Sequence, residues 1–308
     1  MSVLTVRHIT TYRYRTPVQL GEHRMMFRPR ESHDLKLLKT SLSISPYPSR
    51  LRWLHDVFDN SIAIAEFEGS TTELRFESVI TLEHFETTLP KYPVEDYAAN
   101  FPFQYSREDM PNLTRALAHN YPHANVSYWV KPFLDTSGTT GTMDLLRSMT
   151  HGIREQFQYV RRSKKGIQSP DETLQSNQGT CRDFAVLMME ATRSLGIAAR
   201  FVSGYILVPG DTASSDFSLS GDVKGGGATH AWMQAFLPGA GWIDFDPTNA
   251  IVGNRNLIRV AVAWSPENIL PLWGTYVGHR DDFIEMNVAV NVAEVDERLL
   301  DGLQPTHY

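Results

Sequence analysis

The sequence predicts a chain of two unlike parts, a β domain followed by a region of helices and strands. Residues 74–83 largely alternate, with Leu74, Phe76, Ile80 and Leu82 on one side and Arg75, Glu77, Thr81 and Glu83 on the other, a half-buried strand interrupted at Ser78 and Val79. Met143, Leu146, Met149, Ile153 and Phe157 recur at steps of three and four, the spacing of an amphipathic helix. A second helix is expected from Cys181 to Gly196, a glycine suited to the left-handed position past a helix end.

Within the first part, Thr5–Tyr14, Leu35–Ile44 and Ser61–Phe67 repeat the alternation more weakly, and the pieces SPYPS (45–49) and DVFDN (56–60) carry turn chemistry. Short strands at this spacing predict a small β-sandwich-like domain over residues 1–95. A crossing rich in proline and aromatic residues, from Leu89 to about Pro111, marks the boundary, with the second domain and its C-terminal extension over 96–308. Residues 163–180 are polar and read as a loop. Strands follow at Ala199–Val208, Thr229–Leu237 and Trp242–Asp246, and Pro209–Gly227 reads as a mobile surface loop.

Hydrophobic residues make up 42% of the 308 and charged residues 21%, an ordinary globular composition. The net charge of −6 gives no reason to expect nucleic acid or an anionic membrane as a partner. Met1–Leu20 is strand-like, interrupted by Arg7, Arg13 and Arg15, and does not read as a secretory signal, so a cytoplasmic location is expected. The one cysteine excludes an internal disulfide and a Cys-rich zinc site. Eleven scattered histidines with no His-Glu-x-x-His helix argue against a metal-dependent hydrolase.

Cys181 is therefore either an inert buried side chain or a reactive thiol. Its position argues for reactivity, because free N–H groups and the helix dipole at a helix start favour negative charge. His230 and Asp246 each lie eight residues from Pro238. A hairpin centred there sets them opposite each other, and a centre one or two residues later offsets them. A histidine can take a thiol proton, and a carboxylate on its far side fixes the ring. Asp244 points to the same face and is the rival third member.

Read together, the segments GTCRDFAVLM (179–188), RSLGIAARFVSGY (193–205), HAWMQAFLPGAGW (230–242) and WIDFDPTN (242–249) resemble the transglutaminase-like superfamily in its bacterial branch. YRYRTPVQLGEHRMMFRPR (12–30) and DVFDN (56–60) resemble the β domain that precedes its core. The resemblance implies an α+β, papain-like fold, with the Cys-bearing helix packed on an antiparallel sheet. It implies Cys181 as nucleophile, His230 as base and Asp246 as orienter, with no metal or organic cofactor. The chain departs from the branch at Arg182 and Val186, where relatives often carry Gln and His, and at Ala263–Pro266, where they often show Gly-Arg-Asp-Tyr.

The chemistry implied is acyl transfer on a peptide or isopeptide amide. Water resolving the thioester gives a cysteine peptidase or amidase, the expected outcome. An amine gives a transglutaminase, and a binding protein that keeps the fold without turnover is the third reading. The Cys181 N–H is the first candidate for the oxyanion site. Tyr159 and Trp232 are candidates for contacts to the substrate, and the basic stretch Arg24–Arg30 for one wall of its cleft.

Overall fold

The computed structural model describes residues 2–86, 92–122, 125–136, 138–160, 166–208 and 227–295. All but the last residue of the expected loop at 209–227, and residues 89–91 of the expected boundary at 89–111, lie outside them.

The chain opens with β1 (Ser2–Met25), β2 (Leu35–Ser45), β3 (Arg50–His55), β4 (Ser61–Glu66) and β5 (Ser70–His84). They pair antiparallel in the order β2-β5-β1-β4-β3. Leu74, Phe76, Ile80 and Leu82 are buried as their alternation requires. Ser78 does not interrupt it. It is buried on the same side, opposite the buried His8 of β1. The sequence also left β3 unassigned. Its outer edge has no partner among the described strands, and Leu51, Trp53 and Leu54 stay exposed, so RLRWLH shows no buried period.

The second part holds α1 (Met110–Leu117), α2 (Val126–Val130), α3 (Thr142–Gln156), α4 (Pro170–Ser176) and α5 (Cys181–Ser194). Of the predicted face, Leu146, Met149 and Ile153 on α3 are inaccessible to solvent, Phe157 just past its end is buried, and Met143 in its first turn is half-buried. The reading of 163–180 as a loop is corrected by α4. Ser169 accepts a hydrogen bond from the Glu172 N–H, the Glu172 carboxylate accepts one from the Ser169 N–H, and Pro170 opens the first turn.

A five-stranded sheet follows, of β6 (Ala199–Ile206), β7 (His230–Leu237), β8 (Gly241–Asp246), β9 (Ile251–Val252) and β10 (Leu257–Ala263), in the order β9-β8-β7-β6-β10. Helix α5 packs on it, with Phe184, Val186, Met188 and Met189 in one buried cluster with Ala231, Met233, Ala235, Ile243 and Phe245. This helix against an antiparallel sheet is the α+β core that the resemblance implies. Burying each Leu, Val, Phe or Met of this kind contributes about 1.5–3 kcal/mol. At the helix end Gly196 adopts φ +72°. Arg193 anchors the same end, pairing with Glu190 at 2.9 Å and donating to the carbonyls of Ala116, Ala199 and Trp264.

The chain then returns to the first sheet. β11 (Leu272–Val277) and β12 (Phe283–Glu294) pair antiparallel with β1 and bring that sheet to seven strands. Hydrogen bonding is continuous through all seven, so the β region is one sheet with its own cluster of Tyr14, Val18, Met25, Leu74 and Phe76. Its other cluster, Leu4, Val6, Ile80, Leu82, Val290 and Val292, packs against Tyr205, Ile258 and Val260 of the second sheet. Asn60 of the DVFDN turn seals the join. Its amide donates to the Val262 carbonyl at 2.8 Å and accepts from the Val262 N–H at 2.9 Å, completing the edge of β10 as a strand would.

Candidate active site

Helix α5 starts where its cap is built. Asp183, fully buried, accepts hydrogen bonds from the Thr180 N–H and hydroxyl, both at 2.8 Å, and from the Gln168 N–H at 2.7 Å. Gly179 is required by the same turn, since a Cβ there would come within 2.9 Å of the Phe184 ring. Cys181 is thereby fixed as the first residue of the helix, with 7% of its surface exposed. The short strand Gln158–Tyr159 pairs with Gln178–Gly179, so Tyr159 lies opposite Gly179, two residues before the thiol.

The hairpin of β7 and β8 is centred on Gly239, one residue past the symmetric position, with Leu237 opposite Gly241 and Met233 opposite Phe245. Gly239 and Gly241 supply positive φ at the turn, of 81° and 71°. His230 and Asp246 are therefore diagonal neighbours on one face, within reach of their side chains. Nε2 of His230 lies 2.8 Å from Oδ2 of Asp246, and both residues are buried. Asp246 is held in turn by the Thr248 N–H at 2.9 Å and the Asn249 side-chain amide at 2.8 Å. Thr248 and Asn249 belong to the WIDFDPTN run that carries the resemblance, but the sequence assigns them no part in the site.

Nδ1 of His230 makes no hydrogen bond of ordinary length and angle, and the Cys181 thiol is the group that acts on the ring besides Asp246. Burial alone disfavours the charged ring, but the charge and hydrogen bond of Asp246 outweigh it. With a further contribution from Cys181, the pKa of His230 is pushed up from 6.5 to about 10. The imidazolium is the favoured form at neutral pH.

The other candidates have separate surroundings. Trp232 is fully buried and offers no face to a substrate. Its indole lies nearly parallel to the His230 ring, 5.9 Å between centroids and 27° between planes, and its Nε1–H donates to Asp244 at 2.6 Å. Burial raises the pKa of Asp244, against the pull of Arg259. Arg24 pairs with Glu22 at 2.8 Å, Arg28 donates to Thr40 at 3.1 Å, and Arg30 pairs with Asp59 at 2.5 Å, so each guanidinium of the basic stretch is held within the first sheet and its turns. Among the described residues no three His, Cys, Asp or Glu side chains are grouped to hold a metal ion, and no helix is long and apolar enough to cross a membrane.

Comparison with known proteins agrees with this architecture. A profile of the bacterial transglutaminase-like N-terminal region matches residues 4–83, and one of the transglutaminase-like superfamily matches residues 133–247. An uncharacterized protein of Mycobacterium leprae is 33% identical over 125 residues, which span 41% of this chain and 42% of that protein. One of Mycobacterium tuberculosis is 25% identical over 312 aligned residues, covering 94% and 93%. The crystal structure of a putative cysteine protease from Cytophaga hutchinsonii superposes with a TM-score of 0.66 at 17% identity, over 96% of this chain and 91% of that one, and shows the shared fold. The two profiles together cover well over half of the sequence, the first over strands β1 to β5 and the second from α3 to β8, and the chain belongs to the transglutaminase-like superfamily.

Proposed function

We propose that the protein is a thiol-dependent acyl-transfer enzyme acting on peptide or isopeptide amides, with water as the acceptor, and thus a cysteine peptidase or amidase. The observation that carries this reading is the 2.8 Å contact of His230 Nε2 with Asp246, on a ring whose charge also responds to Cys181. Asp246 holds one edge of the imidazole, and the other nitrogen is left for the thiol.

In the resting pair the thiol proton resides on His230, and the negative sulfur is stabilised by the imidazolium and the start of α5. The sulfur attacks the amide carbonyl carbon, forming a C–S bond while the C=O electron pair moves to oxygen. The Cys181 N–H is the first donor to that oxyanion, and Tyr159 the second candidate from the opposite short strand. His230 then gives its proton to the leaving nitrogen as the C–N bond breaks, leaving a thioester. Water attacks the thioester with His230 as base, and the acid departs as the thiol is regenerated. A cytoplasmic location belongs to this reading, since a reducing compartment keeps a lone catalytic thiol free.

Incubating the purified protein with a peptide and isopeptide library and weighing the products tests it. Cleaved products carrying the elements of water are expected. Products joined to an added amine would identify a transglutaminase instead, and an unchanged library would support a binding protein.

A further inference from the structure

Asp244 is a buried carboxylate that the proposed chemistry does not use, and its contacts lead from the imidazole to the first sheet. The edge contact with Asp246 fixes Nε2 of His230 but leaves the plane of the ring free, because rotation about its Cβ–Cγ bond is soft. The aim of Nδ1 toward Cys181 depends on that plane. The nearly parallel indole of Trp232 is the group that sets it. The indole is fixed by its own hydrogen bond, Nε1–H to Asp244 Oδ1 at 2.6 Å. Asp244 Oδ2 faces Arg259 of β10 at 3.8 Å, and the Asp244 backbone carbonyl accepts from the Gly253 N–H at 2.8 Å. Arg259 is shared with the first part of the chain, its Nη2 lying 3.3 Å from both Asp34 Oδ1 and Ser32 Oγ. Asn254 holds the other Asp34 oxygen at 3.3 Å and donates to the Phe85 carbonyl at 2.9 Å.

We infer that Trp232 and Asp244 are positioning residues that set the plane of the His230 ring, and that the N-terminal sheet takes part through Asp34 and Arg259. The inference rests on the reading of His230 as the base for Cys181. It gives the N-terminal sheet a role in catalysis without a catalytic group of its own.

A merely structural polar pair between Trp232 and Asp244 would affect stability and leave the thiol unchanged, so the test reads the thiol. Iodoacetamide alkylation of Cys181 is followed at pH 6 and pH 9 in the full chain and in folded variants. Asp244→Ala is expected to slow alkylation at pH 6 by about tenfold, the change in thiolate fraction for one pH unit, with little change at pH 9. Asp244→Asn, whose amide oxygen still accepts from the indole, should restore the pH 6 rate, and Asp34→Ala should fall between the two. A folded Asp244→Ala protein with the wild-type rate at pH 6, or an Asn variant as slow as the Ala variant, would overturn the inference. Should Asp244→Ala not fold, Trp232→Phe carries the test, with the same slowing expected and a wild-type rate overturning it. His230→Ala is the control: alkylation indistinguishable from wild type there would remove the base reading itself.

Discussion

Asp244 and Asp246 stand two residues apart on β8 and share a face, yet the first meets the indole of Trp232 at 2.6 Å and the second the imidazole of His230 at 2.8 Å. The two-residue offset in the hairpin register produces this division, because it sets Asp246 diagonal to His230. One carboxylate orients the ring at its edge, and the other anchors what lies against its face.

Asp246→Asn should therefore cut turnover of an active peptide by about 10³–10⁴ while the protein stays folded, since the amide cannot hold the charged ring. Asp244→Asn should cost far less. Steady-state kinetics on the two variants, with circular dichroism as the folding control, checks this. A larger loss at Asp244 would contradict the assignment of the orienter.

The raised pKa of His230 has a consequence for stability. The group binds its proton more tightly in the folded chain, so its contribution is fully present below pH 6.5 and is lost as pH rises through about 10. The melting temperature should fall across that window, and His230→Gln should flatten the fall. An equal slope in the variant would mean that other groups carry it.

On the acid side the sign reverses. His8 is buried between the sheets, bonded to the Tyr205 hydroxyl at 2.9 Å and to Thr10 at 3.1 Å, and desolvation pushes its pKa down to about 4. Stability from its neutral form is present above pH 6.5 and lost as pH falls toward 4. Burial also lowers the pKa values of His23 and His84. Urea unfolding at pH 7 and pH 4.5 should show this acid loss, and His8→Gln should reduce it.

Asn60→Ala removes both hydrogen bonds to Val262 and leaves its backbone N–H and carbonyl unpaired in a buried edge. A loss of about 2–4 kcal/mol in urea unfolding is expected. A loss under 1 kcal/mol would mean that the DVFDN turn does not seal the join.

The parts of this molecule legible in its sequence are those governed by local period. The face of α3, the start of α5 at Cys181, its stop at Gly196 and the strands β6 to β8 follow from spacing and from a few special residues. Alternation mistook Ser78 for an interruption, because only the partner strand reveals that His8 lies opposite it. Polar composition hid α4, although Ser169, Pro170 and Glu172 spelled its cap. The pairing of β11 and β12 with β1 joins residues from Met25 and Leu272 to Leu4 and Glu294, about 250 to 290 positions apart, and no local pattern encodes it. At the site, the motifs supplied the residue types, and the register decided which aspartate meets the histidine.

The central claim is that Cys181 is activated by His230, and the rate of its alkylation tests it most directly. Iodoacetamide labelling of the folded protein at pH 6.5, followed by intact-protein mass, should run faster than labelling of a model thiol whose pKa is about 8.5. His230→Ala should bring the rate back to that of the model thiol. A folded wild-type protein that resists labelling and reacts normally only after denaturation would mean that Cys181 is a buried structural residue, and would contradict the account.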